Sequence, residues 1–145
     1  MNLSDHFTLE EMTFSQTAVR HGLSNQPGAA EIENLKALCA NVLEPLRALV
    51  ARPLQISSGY RSPELNRRIG GAATSQHCRG EAADLIVPGL TVEQLIQLIA
   101  SADLPVDQVI HEGTWLHVSH TTHRPNRREL LRAKFVGGRA VYSRF

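Results

Sequence analysis

The chain has 145 residues, 42% of them hydrophobic, and a formal net charge of +1. That length suits one domain spanning 1–145 with a core of its own, and the charge gives no global bias toward nucleic acid or anionic lipid. No apolar run approaches the ~20 residues of a membrane span, and Met1 to Phe7 has neither a basic start nor an apolar stretch, so neither membrane insertion nor a cleaved secretory signal is expected.

In chain order, Phe7-Thr8-Leu9-Glu10-Glu11-Met12 predicts a short helical turn, with Thr8 as N-cap and Glu11 closing a capping box. Asn25-Gln26-Pro27-Gly28 is a turn signal. Leu35, Leu38, Val42, Leu46 and Leu49 recur at three- and four-residue steps and predict an amphipathic helix over about 29–51, widened by Ile32, Cys39, Leu43 and Val50. Pro45 falls inside this stripe. It lacks an amide donor and its ring clashes with the Asn41 carbonyl, so a kink or break is expected there.

Past Pro53, Leu54-Gln55-Ile56-Ser57 alternates as a strand does. Ser58 to Pro63 is a tight connection into a short helix at 63–69, and Gly70 to Thr74 is a flexible loop. Ala82 to Val87 reads as a buried strand closed by Pro88-Gly89. Thr91-Val92-Glu93-Gln94 is a capping box, opening a helix that turns Val92, Leu95, Ile96 and Ile99 inward. Gln108–His111 and Trp115–Ser119 predict two strands of a hairpin joined by Glu112-Gly113-Thr114. A short helix at 126–133 and an edge strand within 134–143, turning at Gly137-Gly138, complete the expectation. The class is α+β: a small antiparallel sheet with helices packed on one side and a site on the open face.

Arg124, Arg127, Arg128 and Arg132, opposed only by Glu129, read as a solvated helix face or loop in preference to a binding patch. The two cysteines give no disulfide pattern. Cys39 falls on the helix stripe as a small core residue. Cys78 adjoins His77 and offers a soft metal ligand, although adjacent residues seldom both point at one ion.

The chemistry concentrates in three residues. His77 sits among small polar groups between a loop and a strand, unlike a core histidine. Asp84 lies in the apolar run Ala82-Ala83-Asp84-Leu85-Ile86-Val87, where an unpaired carboxylate costs several kcal/mol, so a cation, a cap or a salt bridge must answer it. Strand alternation puts His117 with Trp115 and Ser119 on one face and Leu116 with Val118 on the other. Alone, His117 reads as a surface histidine. With His77 and Asp84 it completes the two-imidazole, one-carboxylate set of a catalytic zinc site with an open position for water.

Ser75-x-His77-x-x-Gly80-x-Ala82-x-Asp84 followed by Trp115-x-His117 resembles the M15 peptidases, the zinc D-alanyl-D-alanine carboxypeptidases and related phage cell-wall endopeptidases, and within them the first subgroup, A. Ser58-Gly59-Tyr60-Arg61-Ser62-Pro63-Glu64-Leu65-Asn66 is similar to the upstream segment of that family, and Phe7 to Met12 to the opening of members with an N-terminal helix. The resemblance implies Zn2+ held by His77, Asp84 and His117. It implies Arg61 as a catalytic and substrate-binding residue, its planar fork suited to a carboxylate or carbonyl oxygen; a salt bridge with Glu64 is the structural alternative. It implies Ser75 near the metal, orienting ligand or substrate or else capping its loop. Gly80 and Ala82 read as small residues that let the backbone pass close to the ion.

The family commonly places an acid three positions before its last histidine, where this chain has Thr114. Glu112, in a Glu-Gly-x-Trp-x-His arrangement, is the expected general base, with an ordinary turn residue as the alternative reading. His111, an imidazole beside that turn, is the second candidate for base or transition-state donor.

The expected function is zinc-dependent hydrolysis of a peptide bond in peptidoglycan stem peptides containing D-amino acids, by carboxypeptidase or endopeptidase action. A zinc-containing cell-wall binding module without turnover, favoured by Thr114, and a phage structural protein are the competing readings. A monomer that binds peptidoglycan peptide and no nucleic acid is expected. The substrate lies outside the cytoplasmic membrane, so a chain made in the cytoplasm and released to the wall, as in phage or prophage lysis, is the expected location.

Overall fold

The computed structural model describes residues 1–145. Two short helices come first, α1 (Leu9–Thr13) and α2 (Gln16–His21). Thr8 Oγ1 caps α1 by accepting the Glu11 amide at 3.1 Å, as its position predicts. The second helix, absent from the sequence expectation, has its own signals: Ser15 Oγ accepts the Ala18 amide at 3.2 Å, and Gly22 ends the helix with φ of 65°.

The long apolar stripe forms α3 (Ala29–Leu38), a π-helical turn (Cys39–Leu43) and α4 (Glu44–Val50) in one run. Pro45 does not break it. The Glu44 amide donates to the carbonyl of Cys39 five residues back, and this wider turn puts Pro45 at the start of α4, where a missing amide is tolerated. The extra residue in the turn also rotates the downstream face. Val50 becomes buried, whereas Leu49, expected in the stripe, is 43% exposed.

The remaining elements are β1 (Gln55–Ser58), α5 (Pro63–Arg68), a 3-10 turn (Gln76–Arg79), β2 (Ala82–Ile86), α6 (Val92–Ser101), β3 (Gln108–His111), β4 (Leu116–Ser119), β5 (Glu129–Val136) and β6 (Arg139–Arg144). The capping box of α6 forms both ways: Gln94 N–H donates to Thr91 Oγ1 at 3.0 Å, and Thr91 N–H to Gln94 Oε1 at 2.9 Å.

The helix expected at 126–133 is not formed; β5 occupies 129–136 instead. Its backbone pairs in parallel with β3, from Gln108↔Glu129 to His111↔Arg132, and antiparallel with β6. Pairing on both edges outweighs the weak local helix preference of Arg, Glu and Leu. The sheet has six strands in the order β1-β2-β4-β3-β5-β6, antiparallel throughout except for the β3·β5 contact. The β5–β6 hairpin turns at Gly137 and Gly138, whose φ values of 58° and 78° are left-handed.

The hydrophobic core lies between the sheet and the helices. Ala83, Leu85, Val109, Leu116 and Val118 pack against Leu35, Leu38, Leu46, Leu95, Ile96 and Ile99 in one cluster. Alternation then commits the other side chains of the same strands, Asp84, Gln108, Ile110 and His117, to the opposite face. No helix is long and apolar enough to cross a membrane.

Candidate metal centre

Backbone register sets the centre. β2 and β4 pair with Asp84 opposite His117, and β1 brings Ser58 opposite Asp84 on the other side. The 3-10 turn adds His77 from above. Asp84 Oδ1 stands 3.1 Å from His117 Nδ1 and 3.3 Å from His77 Nε2. One ligand atom from each of the three residues lies within 4.8 Å of the others, a group able to hold a metal ion.

The protonation pattern fits a cation between them. His77 Nδ1 is 2.7 Å from the Gly59 carbonyl oxygen, which can only accept, so the ring proton sits on Nδ1. That leaves His77 Nε2, fully buried, with a bare lone pair and no hydrogen-bond partner. It faces a carboxylate oxygen with no proton between them, an arrangement a divalent ion resolves. Burial drives the imidazole of His77 toward its neutral form, against the pull of Asp84. Burial also opposes ionisation of Asp84, but the imidazole of His117, 3.1 Å away, leads the interactions that outweigh it and hold the carboxyl well below its usual range. Neutral imidazole and ionised carboxylate are the forms that ligate.

Local sequence holds these groups in place. Ser75 Oγ accepts the His77 amide at 3.2 Å, which starts the 3-10 turn. Gly80 ends that turn with φ of 73°. Its smallness serves the helix and not the ion: a Cβ there would stand 2.4 Å from the Glu31 carbonyl oxygen of α3. Cys78 is half-buried, and the metal-capable group does not include it.

A cleft of about 720 Å³ opens over the three residues, and Arg61, Ser75 and Glu112 line it with them. Arg61 makes no ion pair with Glu64. Its Nε is buried without a partner, and burial lowers its pKa. Glu112 is half-buried, and burial raises its carboxyl above the ordinary range, with His117 lowering it and Asp84 raising it further. Thr114 is exposed on the turn and lies off the cleft.

His111 is placed elsewhere. Alternation along β3 sends Gln108 and Ile110 to the cleft and His111 to the helix side, where its Nε2 is 3.6 Å from Glu93 Oε2 and its ring stacks on Phe145. The cleft also holds residues that the sequence does not single out, among them Gln76, whose buried Nε2 has no partner, and Tyr142; Arg124 and Arg127, expected on a solvated face, line it with them. Strand parity along β3 is enough to identify Gln108 and Ile110. No local signal identifies Tyr142, which reaches the cleft only through the β5–β6 hairpin.

A family model described as Peptidase M15 matches residues 5–119. No curated protein matches the chain. The matched span holds α1 to β4, with all three metal-capable residues, Arg61, Ser75 and Glu112; β5 and β6 lie beyond it.

Proposed function

The chain belongs to the M15 peptidase family, and from that premise we propose that it is a zinc peptidase hydrolysing a peptide bond in peptidoglycan stem peptides that contain D-amino acids. The observation that carries the zinc assignment is the buried, unpartnered Nε2 of His77 facing Asp84. His77 Nε2, an Asp84 carboxylate oxygen and His117 Nδ1 are the proposed ligands. Zinc held there supplies a Lewis acid that acidifies water and polarises a carbonyl.

The chain's own groups do the rest. The Glu112 carboxylate, raised by burial, takes a proton from the attacking water and returns it to the leaving amine. The guanidinium of Arg61 has no internal carboxylate to satisfy it, so its N–H groups donate to a substrate carboxylate or to the scissile carbonyl oxygen. Ser75 fixes His77 through the backbone and presents its side chain to substrate along the same wall. Both carboxypeptidase and endopeptidase action fit an open cleft of this size.

The test is elemental analysis of the protein beside His77→Ala and His117→Ala, with mass spectrometry of products from purified peptidoglycan. One zinc per chain, lost in both variants, together with new peptide termini supports the proposal. Zinc retained in either variant removes that residue from the ligand set. Zinc without turnover returns the chain to a binding module. Free D-alanine alone marks a carboxypeptidase, and opened cross-links an endopeptidase.

A further inference from the structure

The basic segment that the sequence presents as a solvated face divides in two. Arg128 pairs with Asp103 and Arg132 with Glu93, one cation to one acid, away from the cleft. Arg124 and Arg127 instead line the cleft, and both fasten on Asp107, which is 0% exposed. Arg124 donates from Nη1 and Nη2 at 2.7 and 2.9 Å. Arg127 donates from Nε and Nη2 at 3.1 and 2.9 Å, and from its amide at 3.0 Å.

One guanidinium balances the charge of a buried carboxylate, and this one receives two. The acid lies beneath while the side chains of Arg124 and Arg127 remain 43% and 45% exposed. Arg124 Nε and Arg127 Nη1 make no hydrogen bond within the chain; Glu129, held by Gln108 Nε2 at 2.9 Å, is the nearest further acid, 3.5 Å from Arg127 Nη1. The cleft as a whole is lined by Arg61, Arg79, Arg124 and Arg127, against the carboxylates of Asp84 and Glu112. Asp84 faces the two histidines, and Arg79 is answered by buried Glu81 at 2.9 Å.

We infer that Arg124 and Arg127 form a second anion subsite, separate from Arg61, which takes a carboxylate of the peptide substrate away from the scissile bond. The inference rests on the peptidase reading and names the charge that the peptide must carry. Four side-chain hydrogen bonds to Asp107 hold the two forks before any ligand arrives, with a fifth from the Arg127 amide, so little side-chain freedom is lost on binding. Planar guanidinia favour a carboxylate, which accepts two parallel N–H bonds. Both arginines lie beyond residue 119, outside the span the family model matches, so the preference belongs to this chain's own extension.

The test compares two synthetic tetrapeptides, L-Ala–D-Glu–L-Lys–D-Ala with the α-carboxylate of D-Glu free, and the same peptide with that group as its primary amide. Both keep the terminal carboxylate available to Arg61. Binding is measured by calorimetry on the zinc-loaded protein, and turnover separately by mass spectrometry of products from purified peptidoglycan. The free-carboxylate peptide is expected to bind at least about tenfold more tightly, and the preference to fall toward unity in Arg124→Gln, where Arg127 still holds Asp107. Equal affinities, no measurable binding of either peptide, or a preference unchanged in Arg124→Gln would each overturn the inference. The wild-type pair decides even if the variant fails to fold. Preferential binding of the free-carboxylate peptide by a protein that releases nothing from purified peptidoglycan leaves the subsite standing and removes the peptidase reading instead.

Discussion

His77 Nδ1 and the Gly59 carbonyl oxygen lie 2.7 Å apart, and through this bond the end of β1 decides which nitrogen of the imidazole faces Asp84. Gly59 is itself held by a close backbone approach: a Cβ there would stand 2.4 Å from the Met12 carbonyl oxygen, which also accepts the Tyr60 amide at 2.7 Å. Gly59→Ala must therefore push β1 from α1 and carry the carbonyl off the imidazole. Partners of ligating histidines typically contribute 10–100-fold to metal affinity, and a loss of about that size is expected here. Competition with a chromophoric chelator measures it. Unchanged zinc affinity in a folded Gly59→Ala protein would show that the tautomer is set by something else.

Glu112→Gln keeps the size of the side chain and removes the proton acceptor. The expected result is a fall in kcat on the order of 10²–10⁴ with zinc content and KM little changed. The base works ionised, and burial places its pKa above the ordinary carboxylate range. The acid limb of wild-type activity should therefore begin at a higher pH than a free glutamate would give, and activity should fall as pH drops through it. A kcat retained in the Gln variant assigns the proton transfer to another group.

Asp107 links acid stability to the cleft wall. Burial opposes its ionisation, yet hydrogen bonds from Arg124 and Arg127 outweigh burial and hold the carboxyl far below its usual range. A depressed folded-state pKa stabilises the protein above the unfolded value, about 3.9, and that stabilisation is lost as pH falls toward the folded value. Wild type should thus lose stability below about pH 4, and Asp107→Asn should lose less over the same interval. At neutral pH the variant should be weaker by about 3 kcal/mol, the low end for a broken buried pair, since both guanidinia can turn to water. Urea denaturation at pH 7 and pH 3 gives both numbers.

Pro45 makes an unusual claim on helix energetics. An interior proline costs about 3 kcal/mol, and its removal normally returns much of that. Here the π-helical turn already widens the ladder ahead of it, and Glu44 bonds to Cys39. Pro45→Ala is expected to shift stability by less than about 1 kcal/mol in denaturant titrations. A gain near 3 kcal/mol would mean that the turn carries strain.

The three metal-capable residues are legible in the sequence because each stands out against its neighbours: a carboxylate in the apolar run of β2, a histidine on the polar parity of β4, and a histidine among small residues. Periodicity likewise locates α6 and the β3–β4 hairpin. Leu49 departs from the stripe because one extra residue in the π turn shifts the helix face, and no periodic pattern announces such an insertion. The segment after Arg124 departs from expectation for a different reason. Its strand character comes from pairing with β3, more than a dozen residues away, and Arg124 and Arg127 find their role only against Asp107, which no motif or periodic pattern marks. Gly80 must be small, as the sequence suggests, but its crowding neighbour is a helix carbonyl.

The parallel ladder between β3 and β5 places the C-terminal hairpin along the outer edge of β3. A truncated chain stopping at Ser119 would keep every proposed zinc ligand, yet its β3 would present a row of unanswered amides and carbonyls to solvent. Such an edge recruits strands from neighbouring molecules, so the shortened protein would self-associate in solution even with its histidines and aspartate intact.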